Sequence, residues 1–570
     1  MEKWVVTAKK ADFQGIGKKY GIDPVIARLI RNRDVVEEEE IRQYLYGTLE
    51  DLPSPWLLKD MKKTVACILK KIKEKKKIRI LGDYDIDGVT STYILLTGLT
   101  RLGANVDTYI PDRISDGYGI HRHLIEKALE DGVDTIITCD NGIAASEEIE
   151  YAREKGMTLL VTDHHEIPYR EEKGEKIWVL PPADAIINPK QPDCPYPFKN
   201  ICGGVVAFKV VSALYEAAGI AKKELESFYE FAAIATVGDV MDLQGENRII
   251  VKEGLKRLSH TENPGLKALI QANHLEESHI TAYHIGFVLG PCINASGRLD
   301  TASRSLKLLC AKSMEEAQRL AGDLTSLNVS RKALTEQGKE QAFARIDSTD
   351  LKEDRVLVVY LENCHESLAG IIAGRIREQY HKPVFVLTDG ASCVKGSGRS
   401  IEAYSMYEEL VKCADLLEQF GGHPMAAGLS LKKENVEAFR KRLNANCTLT
   451  GQDLIPKIVI DVPMPVSYVS KKLITQISLL EPFGKGNTRP LFAQKNLRVL
   501  NGRILGKNQN VAKMILMDER GFTIDGIYFG EAKEFLDFAE KKNSVSITYY
   551  PDVNCYQGRE TIQAVIQNYC

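Results

Sequence analysis

Three carboxylates at spacing two stand in Leu81-Gly82-Asp83-Tyr84-Asp85-Ile86-Asp87-Gly88, after an apolar strand and before a helix whose pattern opens at Val89. Acids so close repel one another unless cations lie between them. A calcium-binding EF-hand loop begins the same way, but it needs Glu at its twelfth position, here Ile94, and a helix rather than a strand before it. The calcium reading fails on both counts. Two more strands end in acids: Thr135-Ile136-Ile137-Thr138-Cys139 runs into Asp140-Asn141-Gly142, and Leu159-Leu160-Val161-Thr162 runs into Asp163-His164-His165. Asp239 follows an apolar helix in Ala235-Thr236-Val237-Gly238-Asp239. Residues just past the C-terminal ends of strands in a doubly wound sheet converge on one crevice. The acids and histidines therefore form a constellation in space, and mixed carboxylate and imidazole donors suit Mn²⁺ or Mg²⁺ better than zinc. A single Asp at a strand-to-helix turn is as readily a helix N-cap. Capping does not call for three acids in five residues or for Asp-His-His.

The elements that position these residues are read from periodicity. Strands at 78–82, 106–110, 134–139 and 158–162 alternate with helices near 89–102, 119–130 and 145–155, the rhythm of βαβ units in a mostly parallel sheet. Before them, 57–75 reads as an amphipathic helix ending in a lysine run, and Glu37 to Glu40 as a solvated helix end. Helical sequence continues to about Asp347, and its last stretch, 314–346, is long enough to bridge two domains. A second α/β pattern follows, with strands 355–361 and 383–388. Short alternating segments beyond Pro456 suggest a small β-barrel.

At 570 residues the chain exceeds one hydrophobic core. A net charge of −3 is not the footprint of a generic nucleic-acid binder, but residues 455–570 carry 15 Lys/Arg against 11 Asp/Glu, leaving an acidic body suited to holding cations. The N-terminus lacks the apolar core of a signal peptide, and no segment approaches 18 apolar residues, so no membrane span is expected. Twelve cysteines without a C-x-x-C pair point to reduced thiols and a cytoplasmic location.

Asp163-His164-His165 with the Asp83/Asp85/Asp87 triplet resembles the DHH phosphoesterase superfamily. Further stretches resemble its RecJ family: Tyr109-Ile110-Pro111-Asp112-Arg113 leading to Gly117-Tyr118-Gly119, Asn188-Pro189-Lys190-Gln191, Asn294-Ala295-Ser296-Gly297-Arg298, Gly396-Ser397-Gly398-Arg399, Gly421-Gly422-His423 and Pro482-Phe483-Gly484-Lys485-Gly486-Asn487. The chain departs from the family where Cys364 precedes His365, in place of Trp, and where Cys292 stands in place of Arg.

The resemblance implies an α/β architecture: a DHH-type doubly wound, mostly parallel sheet domain, a smaller DHH-associated α/β domain joined by a long helix, and a C-terminal OB-like β-barrel. The boundaries expected are 1–55 for an N-terminal segment, 56–310 for the catalytic domain, 311–350 for the connecting helix, 351–452 for the substrate-binding domain and 453–570 for the barrel. It implies a metal-dependent 5′→3′ exonuclease in DNA repair and recombination, hydrolysing single-stranded DNA to 5′-mononucleotides by two-metal, in-line attack of a bridging water. Asp83, Asp85 and Asp140 would hold one Mn²⁺ or Mg²⁺, and Asp87, Asp140, His164 and Asp239 the other. Asp163 would orient the histidines, and His165 would contact the scissile phosphate. Arg113, Arg298, Ser397, Arg399 and His423 would bind substrate, with Gly396 to Arg399 read as an amide-presenting turn for a 5′-phosphate, or else as an ordinary Gly-rich turn. Phe492, Tyr528 and Phe529 are candidate base-stacking residues, although most aromatics of a small barrel are core. The partners implied are the 5′ end of single-stranded DNA, a helicase and a single-strand-binding protein; the protein would be a monomer away from membranes. The rival readings are a DHH phosphodiesterase for short oligonucleotides or cyclic dinucleotides, and a non-catalytic DHH-type DNA-binding subunit. If the barrel is a separate platform, a chain ending near residue 452 should fold and keep its chemistry.

Overall fold

The computed structural model describes residues 2–570 apart from 114–115, 118 and 173–174, with Tyr556 described by its backbone alone. Tyr118 of the Gly117-Tyr118-Gly119 motif therefore lies outside the described residues. The chain folds into two compact units, and the larger one is assembled from two separated stretches, Trp4–Gly290 and Ile458–Cys570.

Its centre is a five-stranded, wholly parallel sheet in the order Asn105–Tyr109, Lys77–Leu81, Thr135–Cys139, Thr158–Thr162, Ala185–Ile187. Thr135–Cys139 is buried along its whole length, as expected of an inner strand covered on both faces. Helices Ile86–Arg101, Arg122–Glu130 and Ser146–Glu154 make the connections, as the periodicity predicts to within a few residues. The single amphipathic helix expected at 57–75 is the end of a short 3₁₀ turn, Pro55–Leu57, and then helix Met61–Lys73, because Leu58 is extended and Asp60 left-handed between them. The winding direction reverses between Lys77–Leu81 and Thr135–Cys139. That reversal is where ligands bind in doubly wound sheets.

In the same unit, Phe492–Leu505 pairs with both Val511–Met517 and Val545–Tyr556, and Thr523–Phe529 with Arg559–Tyr569, so these strands close into a barrel. The barrel interior is continuous with the N-terminal helices. Ile26, Leu29, Ile30 and Tyr44 belong to one buried cluster with Phe492, Leu497, Leu516 and Tyr549. The barrel thus shares its core with the first helices of the chain and belongs to the same compact unit as the parallel sheet. This speaks against the condition, a separate platform, on which the expectation for a chain ending near 452 depends. Such a chain loses the partners of its own first helices.

The second unit, Pro291–Lys457 with the extreme N-terminus, holds the 35-residue helix Met314–Ser348 and a mixed sheet ordered Leu417–His423, Ala426–Leu431, Val394–Arg399, Val384–Asp389, Leu357–Tyr360. Its apolar residues form a cluster on each face of that sheet. No helix among the described residues is long and apolar enough to cross a membrane, and all twelve cysteines are free.

Candidate metal centre

The acids of three strand ends and one helix end meet at the sheet reversal. Asp85 caps helix Ile86–Arg101, its Oδ1 accepting from Asp87 N at 2.9 Å and Gly88 N at 3.0 Å. The capping reading is thus correct for this acid, and the same side chain also lies with Asp83 and Asp140 in a group whose ligand atoms are all within 4.8 Å of one another. A second group of that kind contains Asp87, His164 and Asp239. His164 Nε2 stands 3.1 Å from Asp140 Oδ1 and 3.6 Å from both Asp87 Oδ2 and Asp239 Oδ2. Asp140 therefore borders both groups. It follows its strand at φ +62, a left-handed turn that sends the chain sharply back and that Asp tolerates better than most residues.

Two glycines, whose part sequence reasoning missed, shape the floor. Gly203 N and Gly204 N, the first amides of helix Gly203–Ala217, donate to the two oxygens of Asp87 at 2.7 Å each. A Cβ on Gly203 would stand 2.8 Å from Asp140 Oδ1, and one on Gly204 would stand 2.4 Å from the Ala235 Cβ. The available signal was a Gly-Gly pair opening an apolar helix. Asn188, quoted above only as part of a motif, is buried and donates through Nδ2 to His165 O at 3.0 Å.

Asp163 faces away from these groups. Its Oδ1 accepts from the His164 and His165 amides at 2.7 and 3.1 Å and lies 2.7 Å from His165 Nδ1, while Oδ2 accepts from Ile143 N at 2.9 Å. Burial would raise its pKa, but the His165 hydrogen bond and the histidine charges outweigh burial and leave it at about 2. His165 shows the reverse balance: burial pulls it down, and the bond and charge of Asp163, with Asp239 and Asp87, bring it up to about 9. Burial and then the His165 charge push His164 down to about 3, so it offers a neutral nitrogen.

The carboxylates resist carrying all their charge together. Burial and Asp85 push Asp83 up to about 8 and Asp239 up to about 7. Asp87 is raised by burial and then by Asp239, and Asp140 by burial and then by Asp87. Asp83 Oδ1 is buried without a hydrogen-bond partner. Clustered anions, one such orphaned oxygen and a neutral imidazole make a donor set that fits two hard divalent cations. Arg113 also brings positive charge to Asp83, its guanidinium lying over the Tyr84 ring at 4.9 Å.

The other substrate-binding candidates lie in the second unit. Gly396 to Arg399 is not a turn. It forms most of strand Val394–Arg399, paired on both sides, so its backbone hydrogen bonds serve the sheet rather than an anion. Its glycines are there for packing, since Cβ atoms on Gly396 and Gly398 would stand 2.4 Å from Leu387 and 2.7 Å from Phe385. The alternation of the strand sends Ser397 and Arg399 to the opposite face. There a Cβ on Gly370, in the first turn of helix Ala369–Tyr380, would be 2.8 Å from both Ser397 Oγ and Arg399 Nη2. Arg298 Nη1 donates to Ser367 O at 2.8 Å just before that helix, and Ser367 Oγ lies 2.8 Å from His365 Nδ1. His423 stands abreast of Arg399, with Ala426 between them in register. Cys292 is buried and accepts from Asn328 Nδ2 at 3.3 Å; Cys364 is half-buried beside Gly338. Of the candidate stacking residues, Phe492 is core and Tyr528 packs against Phe535 and Tyr569, whereas Phe529 is 59 % exposed.

With this geometry in place, comparison with known proteins decides the family. Residues 77–238 match the model of the DHH family N-terminal domain, 353–448 that of the DHHA1 domain and 460–568 that of the RecJ OB domain. The chain is 34 % identical to the single-stranded-DNA-specific exonuclease RecJ of Bacillus subtilis, over 99 % of this chain and 70 % of that one. It is 32 % identical to RecJ of Escherichia coli over 96 % of each. The chain belongs to the RecJ family. Its fold superposes on the crystal structure of Thermus thermophilus RecJ in complex with Mn²⁺ with a TM-score of 0.83, at 28 % identity, over all of this chain and 79 % of that one. The fold class expected from the RecJ resemblance, a parallel DHH sheet, a second α/β sheet and an OB barrel, is the one observed.

Proposed function

We propose that the chain is a metal-dependent exonuclease that hydrolyses single-stranded DNA from its 5′ end to 5′-mononucleotides. The observation that carries this is the pair of donor groups bordered by one carboxylate, Asp140. Asp83, Asp85 and Asp140 hold one cation in this reading, and Asp87, Asp140, His164 and Asp239 the other. Two divalent cations held there acidify a water and stabilise the charge of in-line attack on a phosphodiester. The protein's part is to position them. Asp163 fixes the His165 ring through Nδ1, and His165 is read as the contact to the scissile phosphate. Asp87 is held by two helix-terminal amides, and the neutral His164 presents its free Nε2.

Arg298, Ser397, Arg399 and His423 are assigned to the 5′-phosphate, supported by their arrangement around the first turn of helix Ala369–Tyr380, whose N-terminus favours anions. Arg113, whose charge acts on Asp83, is assigned to a substrate phosphate at the metal centre. The division into a catalytic sheet, a connecting helix, a substrate-binding sheet and a barrel belongs to the same reading, as do a monomeric, cytoplasmic protein and work alongside a helicase and a single-strand-binding protein. Incubating 5′-labelled and 3′-labelled strands with Mn²⁺ tests it. The 5′ label should appear at once as mononucleotide, while the 3′ label shortens stepwise. Faster turnover of dinucleotides than of long strands would favour the short-substrate phosphodiesterase instead.

A further inference from the structure

Pro482-Phe483-Gly484-Lys485-Gly486-Asn487 has no part in the reading above. It joins helix Lys471–Ser478 to the barrel strand Phe492–Leu505, and it lies against residues 242–244, which begin three positions after Asp239. Leu243 N donates to Lys485 O at 2.8 Å. Gln244 Nε2 donates to Gly486 O and to Arg33 O, each at 2.9 Å. Lys485 Nζ is 3.7 Å from Asp242 Oδ1. The approach is between backbones. A Cβ on Gly484 would stand 2.6 Å from Leu243 Cδ1, and one on Gly486, at φ +70, would stand 2.9 Å from the Asp242 Cβ. Glycine is called for at Gly486 by its left-handed backbone, and a side chain at Gly484 would have to displace the buried Leu243 side chain.

Asn487 anchors the segment from behind. Its buried amide donates to Leu480 O at 2.7 Å and Pro482 O at 2.8 Å, and it accepts from Arg33 Nε at 2.8 Å and Tyr44 OH at 2.6 Å. Arg33 continues to Leu29 O at 2.7 Å and to Thr488 O. The facing loop needs such support. Helix Phe228–Gly238 ends at Asp239, and the next residue, Val240, is exposed at φ +56. No regular element continues until helix Gly245–Leu258. The positive charge of Lys485 also reaches the Asp239 carboxyl, offsetting part of what burial and Asp85 do to it.

We infer that residues 482–487 brace the 239–244 loop and so set the position of Asp239, which makes one of the two cation sites depend on the segment leading into the barrel. The inference rests on Asp239 being a ligand. Gln244 and Gly486 are positioning residues in this account, since neither belongs to the ligand groups.

Mn²⁺ titration of the full-length protein, with free Mn²⁺ read by electron paramagnetic resonance, tests the brace without reference to activity. Gln244→Ala removes two donated hydrogen bonds at the surface of the contact, and Gly486→Val forces the segments apart. Each should weaken one of the two Mn²⁺ sites by about 10- to 100-fold, as loss of ligand-orienting groups does elsewhere, and leave the other as in the parent. Asp239→Asn should weaken the same site. If Asp239→Asn loses a site while Gln244→Ala and Gly486→Val bind both ions like the parent, there is no brace. If Asp239→Asn itself binds both ions normally, the ligand assignment fails first. Equal weakening of both sites by Gln244→Ala would also overturn the inference, because it would mean general loosening. Should Gly486→Val not fold, Gln244→Ala decides alone.

Discussion

Asp163 spends both oxygens on its neighbours, and this governs what the adjacent histidines can do. One ring is fixed through Nδ1 and kept cationic near neutrality, while the other is kept neutral among carboxylates. Paired residues of one type are thereby made to differ in charge, which suits the opposite tasks proposed for them, donor to phosphate and ligand to metal. Asp140 carries the greatest load in the proposed site, because it groups with Asp83 and Asp85 on one side and with His164 and His165 on the other. Asp140→Ala should therefore lower hydrolysis by more than about 100-fold while single-strand binding, measured by fluorescence anisotropy, stays near the parent value. Survival of even a few per cent of the activity would remove Asp140 from the shared position. Arg399 makes a narrower prediction. Arg399→Ala should slow cleavage of 5′-phosphorylated strands about ten- to a hundredfold, the cost of a charged hydrogen bond, and hydroxyl-ended strands much less. An equal loss on both would assign Arg399 to internal phosphates or to the fold.

Among the elements, helix Phe228–Gly238 ends in Asp239 and carries a buried acid on the way. Burial pushes Glu230 up to about 7 from an ordinary value of 4.5. Between those values the folded chain keeps a proton that the unfolded chain has released, so stability falls as pH rises through this window. Glu230→Gln should remove that slope, a difference of at most about 3 kcal/mol. Thermal melting from pH 4.5 to 8 would show it, and identical slopes for parent and variant would refute it. Four strands of the parallel sheet and its acids were legible because strand, turn and helix signals repeat over short spans. The fifth, Ala185–Ile187, is only three residues long and lies in a stretch dense in Pro, Asn and Asp. The error at Gly396 to Arg399 has a physical cause: alternate glycines that admit Leu387 and Phe385 look, in one dimension, like a flexible turn. Gly203 and Gly204 escaped notice for a similar reason. Their value lies in Asp140 and Asp87, 63 and 116 residues or more away in sequence, which no local pattern reports.

Taken whole, the molecule joins parts that a linear reading separates. Helix Pro24–Asn32 buries Ile26, Ala27, Leu29 and Ile30, and nothing in its local sequence names a barrel as their cover. Ending the chain near 452 should accordingly give a protein that binds an apolar dye, loses the cooperative melting of its larger unit and does not hydrolyse even a dinucleotide. A soluble, cooperatively melting and active fragment would show that the shared core is dispensable. The same arrangement sets an order in time. Asn32 donates to Asp461, 429 residues further on, and the strands that cover its helix come later still. A ribosome adding roughly 5–20 residues per second takes about 20–90 s to cross that distance. Throughout that interval Ile26, Leu29 and Ile30 have no lasting place to hide, and the nascent chain presents a greasy helix to whatever meets emerging polypeptides.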